Sequence, residues 1–423
     1  MGKEARNAGR PEDWKDRGAE GMDSSTSELP GLRAPELSLC VKCGNCKSHC
    51  PTYAEFMNEG MSARGRVSLL KRLLSGDVDP SDSLDARIFS CLLCGSCDGL
   101  CPLGISITNA VYEGRRKLTA RKKHWLFRVA TNFVFMDPAR SVRIFKLLEE
   151  HGLLPYLNHL RIFKTIADFD IKIPVGRLRD GATIFKVQNP KGRIGLFTGC
   201  TVDCLYPPMG LSLIYALNAL DYEVVLPKGE ACCGAPLLGA GLKKEFDAVA
   251  EKNLNAFLKL KAEAVISLCP TCTYFIRDKY PKAIGDGIAN AMDISSFLLD
   301  LESEAFSTTV PEPQGTVVYH DPCHSRNYLG IAKEPREILR RMGFGVVEQA
   351  DQGCCGLGGT VRLLHEEVSG PILENRVKSL TSERTDMIVT SCPNCVLQLS
   401  SAIKDRPVKH IIEIVAANMK RRI

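Results

Sequence analysis

Two groups of four cysteines with the same spacing constrain this chain more than any other feature. Each group has the pattern C-x2-C-x2-C-x3-C and is followed directly by proline. Ferredoxins hold 4Fe–4S clusters with this spacing, and the fourth cysteine of one run ligates the other cluster. Structural zinc is the alternative, but it prefers separated cysteine pairs. The two runs are Cys40, Cys43, Cys46 and Cys50, and Cys91, Cys94, Cys97 and Cys101.

The expected ligation is therefore crossed between the two runs. Cys101 would complete the site of the first run, and Cys50 would complete the site of the second run. Apolar residues at helical intervals predict helices around these runs. The predicted helices cover Arg66 to Leu74, Leu84 to Phe89 and Ile105 to Leu118.

Ten of the remaining eleven cysteines form an internal repeat with an offset of 122 or 123 residues. Such a repeat predicts two copies of one structural unit. Runs of β-branched residues precede the cysteines and alternate with helical stretches, which predicts α/β units with thiols at the strand ends. The two sets are Cys200, Cys232, Cys233, Cys269 and Cys272, and Cys323, Cys354, Cys355, Cys392 and Cys395.

Each set combines a Cys-Cys-Gly motif with a Cys-Pro-x-Cys motif, so we name the predicted copies the first unit and the second unit. Five thiols near strand ends favour a further iron–sulfur site, although a dithiol redox switch and a zinc half-site remain open. Cys204 is left over and is expected to be a free thiol. Three polar residues flanking Cys323 are expected to tune a bound cluster, with proton donation as the alternative; they are His320, Asp321 and His324.

The predicted fold class is α+β multidomain, with a helical two-cluster ferredoxin domain followed by two duplicated α/β units. Apolar residues make up 44% and charged residues 25%, as in ordinary globular proteins. Residues 1–30 lack the apolar core of a signal peptide, which favours the cytoplasm. The expected segments are a disordered tail (1–35), the ferredoxin domain (36–120), a basic helical connector (121–190), the first unit (191–310) and the second unit (311–423).

A basic segment follows the second cysteine run. From Gly114 to Leu148 there are ten lysines or arginines and a single acid, Asp137, which gives a charge of +9. A solvated linker, docking on an acidic partner and contact with the inner face of the membrane all remain open. Nucleic acid is not expected, because no nucleic-acid-binding fold accompanies the charge. The basic residues are Arg115, Arg116, Lys117, Arg121, Lys122, Lys123, Arg128, Arg140, Arg143 and Lys146.

These motifs resemble a family of redox subunits. The first run and the residues after it are similar to the iron–sulfur subunit of glycolate oxidase and its lactate-oxidising relatives. The Cys-Cys-Gly repeats also resemble the B and D subunits of heterodisulfide reductase, and the latter shares the motif order from about Leu37 onward. The residues that carry the resemblance are Cys40-Val41-Lys42-Cys43-Gly44-Asn45-Cys46, Cys50-Pro51-Thr52-Tyr53 and Ala63-Arg64-Gly65-Arg66.

The resemblance implies an electron-transfer subunit that serves a separate FAD-containing dehydrogenase subunit and passes electrons to a quinone or another acceptor. In heterodisulfide reductases, a complete Cys-Cys-Gly motif can carry a non-cubane 4Fe–4S cluster that reduces a disulfide. Both sets here match all five ligand positions, whereas some glycolate oxidase subunits have lost cysteines. Disulfide reduction at a Cys-Cys-Gly cluster therefore remains the alternative, and no catalytic residue is assigned.

No flavin site of its own is expected for this chain. The nearest candidate for a dinucleotide-binding loop is Gly356-Leu357-Gly358-Gly359, but Val361 occupies the position of the third glycine. The loop follows a cysteine pair rather than a clear strand, so it is interpreted as a turn around a metal site. Electrons would then have to enter from a partner protein.

Overall fold

The structure is a computed structural model that describes residues 34–121, 124–153, 156, 168–169, 174, 176–301, 313–349 and 351–422. The predicted disordered tail lies almost wholly outside these residues, as do Lys122 and Lys123. Within the described chain, no helix has the length and apolar character needed to cross a membrane.

Helices build the region around the two cysteine runs. Ser62 caps the N-terminus of the longest helix between the two cysteine runs. Its side chain accepts a hydrogen bond from the Gly65 amide at 2.9 Å. The apolar face of that helix packs on the helix that follows the second run, with Leu70, Leu73 and Val111 buried. The helices are α1 (Ala34–Ser38), α2 (Pro51–Phe56), α3 (Ala63–Ser75), α4 (Asp82–Phe89) and α5 (Ile107–Thr119).

A helical hairpin follows this region. It consists of α6 (Trp125–Met136) and α7 (Pro138–Glu150), and Asp137 caps α7 by accepting from the Arg140 amide at 3.1 Å. Only Thr131 of α6 and Ala139 of α7 are buried. Most residues of these two helices are therefore exposed or half-buried.

The first unit is a five-stranded sheet with helices on its faces. The strand order is β1-β3-β2-β4-β5, and all pairs are parallel except the edge pair β1–β3. The strands are β1 (Ile184–Phe185), β2 (Gly192–Phe197), β3 (Tyr222–Val225), β4 (Ala264–Ser267) and β5 (Ala291–Asp293). The helices are α8 (Gly199–Cys204), α9 (Pro207–Ala219), α10 (Ala235–Gly239), α11 (Lys243–Leu258), α12 (Pro270–Tyr274), α13 (Tyr280–Ile284) and α14 (Ile294–Asp300).

The second unit repeats this plan with a four-stranded parallel sheet of order β7-β6-β8-β9. The central pairs correspond, because β2 lies beside β4 as β6 lies beside β8. The strands are β6 (Thr316–His320), β7 (Gly345–Val347), β8 (Met387–Thr390) and β9 (Val408–His410). The helices are α15 (Lys333–Arg341), α16 (Val361–Leu364), α17 (Glu366–Leu380), α18 (Pro393–Ala402) and α19 (Ile411–Arg422).

This architecture confirms the predicted fold class, a helical ferredoxin-type region followed by two similar α/β units. In both units the cysteines follow the carboxyl ends of three adjacent parallel strands, which are β3, β2 and β4 in the first unit and β7, β6 and β8 in the second. Parallel strands bring these ends to one edge of the sheet, where sites in α/β proteins form. The ten repeat thiols are therefore gathered at two equivalent edges.

Candidate metal centres

The first ferredoxin site consists of Cys40, Cys43, Cys46 and Cys101, which line one small cavity. Burial and the neighbouring thiols of Cys40, Cys101 and Cys43 raise the pKa of Cys46 to about 11. The fourth cysteine of the second run thus lies among the first three cysteines of the first run. Bound metal would displace the protons that these crowded thiols otherwise hold.

The second ferredoxin site is formed reciprocally. Burial, the Asp98 carboxylate and the thiols of Cys94, Cys91 and Cys50 raise the pKa of Cys97 well above its ordinary value. Cys50 therefore lies beside the second run, in the crossed arrangement that the spacing predicts. Ligation of metal by these eight cysteines stays a prediction.

A buried arginine joins the two ferredoxin sites. Arg66 is 1% exposed and donates hydrogen bonds to the hydroxyls of Thr52 and Ser90 at 2.9 and 3.0 Å. It also donates to the carbonyls of Met61 and Arg87 at 2.7 and 2.8 Å. Because Thr52 follows the first run and Ser90 precedes the second, this side chain fixes the separation of the two runs.

The five cysteines of the first unit lie close together beyond the carboxyl ends of the strands. The Sγ atoms of Cys200 and Cys232 are 3.8 Å apart. Hydrogen bonding with Cys232 and burial raise the pKa of Cys200 well above its ordinary value. Hydrogen bonds from the Cys232 and Cys272 thiols lower the pKa of Cys233 to about 6. The set therefore forms one contiguous group of thiols.

The second unit gathers its cysteines in the same way. The Sγ atoms of Cys355 and Cys395 are 3.6 Å apart. Hydrogen bonding from the Cys354 thiol lowers the pKa of Cys323 well below its ordinary value. Gly234 and Gly356 follow the two cysteine pairs with φ of 81° and 84°, a conformation that glycine adopts without strain. In each unit this turn directs the pair toward the remaining cysteines.

The two units meet at their thiols. Hydrogen bonds from Cys272 and from Cys392 of the second unit lower the pKa of Cys269 well below its ordinary value. Asn394 crosses the same junction, since its Oδ1 accepts from Thr201 at 2.7 Å and its Nδ2 donates to Cys269 Sγ at 3.7 Å. Both sets line a single cavity of about 980 Å³. The two candidate centres are thus neighbours within one enclosure.

The helical hairpin forms an apolar wall of this cavity. Leu126, Val129 and Phe133 of α6 and Ile144 and Leu148 of α7 line it. The loop Gly356-Leu357-Gly358-Gly359 also supplies lining residues, so it borders the candidate metal site as the sequence analysis expects. The cavity is accordingly lined by both thiols and apolar side chains.

The second ferredoxin site adjoins the second unit. Burial and the Cys323 thiol raise the pKa of Cys94 to about 12. Asn327 donates from Nδ2 to the Cys94 carbonyl at 2.7 Å and to the Ser96 hydroxyl at 3.0 Å. The Tyr328 ring stacks on Tyr274 of the first unit, with centroids 4.2 Å apart. One short segment of the second unit therefore contacts both other parts of the molecule.

The three polar residues around Cys323 have different partners. His324 Nδ1 lies 3.4 Å from Cys323 Sγ, whereas Asp321 forms a bidentate pair with Arg336 at 2.7 Å. His320 is 1% exposed, and burial lowers its pKa below the ordinary value. A ring nitrogen of His320 and the Sγ atoms of Cys355 and Cys395 lie within 4.8 Å of one another.

Cys204 belongs to neither set, although it lines the same cavity. Its thiol donates to the Asp203 carboxylate at 3.7 Å. Burial raises the pKa of Cys204 to about 12, which keeps this thiol protonated. A protonated thiol is an unreactive nucleophile, and the assignment of Cys204 as a free thiol stays a prediction.

Among the described residues of the basic segment, several charged side chains have partners within the protein. Arg115 is fully buried, and Lys117 donates to the Leu73 carbonyl at 2.6 Å. Arg116 pairs with Glu113 at 2.8 Å, and Arg121 pairs with Asp85 at 3.1 Å. These charged side chains stabilise the local structure. The charge pattern of the sequence did not predict this role.

The thiol sets fit iron–sulfur clusters better than zinc or disulfides. All nineteen cysteines are free thiols in this structure. The Sγ separations of 3.6 and 3.8 Å exceed the ~2.05 Å of a disulfide bond. Structural zinc takes four ligands, whereas each unit offers five buried or half-buried thiols. Soft thiolates in such numbers are typical ligands of iron–sulfur clusters.

Comparison with known proteins agrees with this geometry. Residues 36–105 match the 4Fe-4S dicluster domain, and residues 194–277 and 317–400 each match the cysteine-rich domain. The chain contains a 4Fe-4S dicluster domain and two cysteine-rich domains. The dicluster domain holds both ferredoxin sites, and the cysteine-rich domains coincide with the first and second units. These domain matches confirm the cofactor prediction, which was two 4Fe–4S clusters and further iron–sulfur clusters in the units.

Several proteins similar to this chain are named as subunits of redox enzymes. The chain is 28% identical to the probable glycolate oxidase iron–sulfur subunit of Bacillus subtilis, over 87% of this chain and 89% of that one. It is also 28% identical to the D subunit of the dihydromethanophenazine:CoB–CoM heterodisulfide reductase of Methanosarcina barkeri, over 92% and 96%. The B subunit of the CoM/CoB fumarate reductase of Methanothermobacter marburgensis is 27% identical, over 96% and 74%. The predicted resemblance is confirmed.

Proposed function

We propose that this chain is the iron–sulfur electron-transfer subunit of a flavin-linked 2-hydroxy-acid dehydrogenase complex. It would take electrons from an FAD-containing partner subunit and pass them to a quinone or another acceptor. The eighteen cysteines of the two ferredoxin sites and the two units would hold the clusters, which supply one-electron carriers when bound. Cys204 would have no part in ligation.

The observation that carries this proposal is the contiguous row of thiol sites. Arg66 connects the first ferredoxin site to the second. The second ferredoxin site adjoins Cys323 of the second unit. The second unit in turn meets the first unit at Cys392 and Cys269. A protein that only used zinc or disulfides for stability would have no need for four adjacent sites.

The similarity to glycolate oxidase iron–sulfur subunits supports the substrate class and the need for a partner. The hairpin supports contact with that partner or with the inner face of the membrane, because Trp125 is 59% and Leu147 is 53% exposed. Arg128 and Arg143 lie on the same two helices. Interfacial helices combine such apolar and basic side chains.

Iron content tests the ligand assignment. Full-length protein purified without oxygen should contain more iron and acid-labile sulfide than the ~8 irons of two 4Fe–4S clusters. Cys232→Ser should remove most of the iron of one further cluster, because the Cys232 thiol lies against those of Cys200 and Cys233. Cys204→Ser is the matched control, since Cys204 lines the same cavity but belongs to neither set. Equal iron in Cys232→Ser and the unaltered protein would favour a dithiol at this position.

Electron entry tests the function itself. The purified chain alone should not be reduced by glycolate or lactate, because it would lack a site for hydride removal. Addition of the FAD-containing subunit that co-purifies with it should let the hydroxy acid reduce the clusters, measured by bleaching of visible absorbance and by EPR. Reduction by the hydroxy acid without any partner would contradict the proposed division of labour.

Disulfide reduction is the second candidate function. It is favoured by the completeness of both five-cysteine sets and by the cavity of about 980 Å³ that they share. Similarity to the D subunit of heterodisulfide reductase points the same way. One assay distinguishes the two functions. In this assay a viologen dye serves as the electron donor to the chain alone. Steady consumption of a disulfide would favour the reductase, and inertness would favour the electron-transfer subunit.

A further inference from the structure

The two units differ in one buried pair of side chains beside their thiols. The 123-residue offset pairs His320 of the second unit with Phe197 of the first, and Arg376 with Asn253. His320 ends β6 just as Phe197 ends β2, and Arg376 lies on α17 just as Asn253 lies on α11. The two units therefore have matching cysteines but different side chains beside them.

In the second unit, the imidazole of His320 is held in a defined orientation. Arg376 is 2% exposed and donates from Nε to His320 Nδ1 at 3.1 Å. A second bond, from Arg376 Nη1 to the Asp351 carbonyl at 2.7 Å, fixes the guanidinium. Because an arginine can only donate, Nδ1 must accept, and the ring proton of a neutral imidazole is then on Nε2.

That Nε2–H group is buried and makes no hydrogen bond of ordinary geometry among the described residues, although the imidazole interacts with the Cys355 side chain. A buried donor without a well-placed acceptor is costly. The acceptor should lie beside Cys355 and Cys395, since their Sγ atoms and a ring nitrogen of His320 are within 4.8 Å of one another. Cluster-bound sulfur at this place would satisfy the donor.

The first unit offers no such donor at the matching position. Phe197 stacks on Phe257, with ring centroids 5.3 Å apart. Asn253 accepts from the Ala231 amide at 2.7 Å and donates to the Cys232 carbonyl at 3.0 Å. Its Nδ2 also lies 2.9 Å from the Tyr280 hydroxyl. These contacts use the polar atoms of Asn253 on protein groups.

We propose that His320, oriented by Arg376, donates a hydrogen bond from Nε2 to the iron–sulfur centre of the second unit and makes it easier to reduce than the centre of the first. Hydrogen bonds to cluster sulfurs stabilise the more negative reduced state. The effect is strengthened by the low dielectric of a buried site. His320 is thus a positioning and tuning residue. The inference rests on the proposed function, because it requires clusters in both units.

The second unit is also the unit that adjoins the ferredoxin site, through Cys94 and Cys323. The more easily reduced centre would therefore lie next to the ferredoxin clusters, with the first-unit centre beyond it. The duplication would then have produced two unequal electron carriers from one ancestral design. His320 and Arg376 would contribute to this inequality, since the first unit has Phe197 and Asn253 in their places.

The test is an anaerobic redox titration of the full-length holoprotein followed by EPR, with iron measured in every sample. His320→Phe installs the first-unit residue and should shift the midpoint potential of one unit centre to lower values. The other centres serve as internal references and should not move. His320→Gln keeps an N–H donor at similar reach and should restore most of the original potential.

Three outcomes would overturn the inference. Unchanged potentials in His320→Phe with full iron content would mean that no hydrogen bond tunes the centre. Equal shifts in His320→Phe and His320→Gln would mean that packing, not donation, is responsible. Loss of iron from both variants would make His320 an iron ligand. Unaltered protein with iron only in the ferredoxin sites would instead remove the proposed function and this inference with it.

Discussion

Replacing Arg115 by methionine should lower the free energy of unfolding by about 3–5 kcal/mol, since each buried carbonyl left without a donor costs ~1–3 kcal/mol. Arg115 is fully buried in α5. It donates to the carbonyls of Ile88 at 3.2 Å, Phe89 at 3.1 Å and Cys91 at 2.5 Å. A further bond to the Gly239 carbonyl at 2.8 Å ties the ferredoxin region to the first unit.

Arg116→Met is the matched control for this substitution. Arg116 is the next residue, but its side chain is 52% exposed, so its ion pair with Glu113 is open to solvent on the arginine side. Exposed ion pairs contribute only ~0–1 kcal/mol. Urea unfolding of the anaerobic holoprotein, followed by circular dichroism, compares the two variants. Similar midpoints for both would contradict the structural role assigned to Arg115.

Replacing Cys50 by serine should abolish or alter the cluster of the second run and leave that of the first run in place. The physical reason is that the Cys50 thiol lies with Cys91, Cys94 and Cys97 although it belongs to the first run in sequence. Serine preserves the size of the side chain and removes the soft thiolate that iron–sulfur clusters require. EPR of the reduced protein and iron analysis measure the effect.

Cys101→Ser provides the reciprocal experiment. Because Cys101 lies with Cys40, Cys43 and Cys46, this variant should affect the other cluster of the dicluster domain. The two variants should therefore lose complementary EPR signals. The crossed assignment would be wrong if Cys50→Ser removed the signal that Cys40→Ser removes.

Much of this molecule is encoded in local sequence patterns. Regular cysteine spacing predicted the two ferredoxin runs, and the 122- or 123-residue offset predicted the two α/β units. Helical periodicity placed α3, α4 and α5 within a few residues of their observed bounds. These features depend on near neighbours in the chain, so one sequence suffices to find them.

The contacts that distinguish the sites depend on residues far apart in sequence. Arg376 and His320 are 56 residues apart, and nothing in the local pattern pairs them. Arg115 belongs to a run of basic residues, where charge alone suggested a solvent-facing side chain, yet the fold surrounds it with carbonyl groups. The short strands β1, β5 and β9 have two or three residues each and carry no usable periodicity.

Asn327 and Arg115 donate hydrogen bonds to the Cys94 and Cys91 carbonyls in the second ferredoxin site. Arg115 also reaches Gly239, and Asn327 belongs to the second unit. Electron carriers seated on separate mobile domains must wait for a diffusive swing before each transfer. In this fold the separation between carriers would be set by hydrogen bonds next to the ligands themselves. Transfer between them would then be governed by fixed distances and driving force rather than by the rate of domain motion.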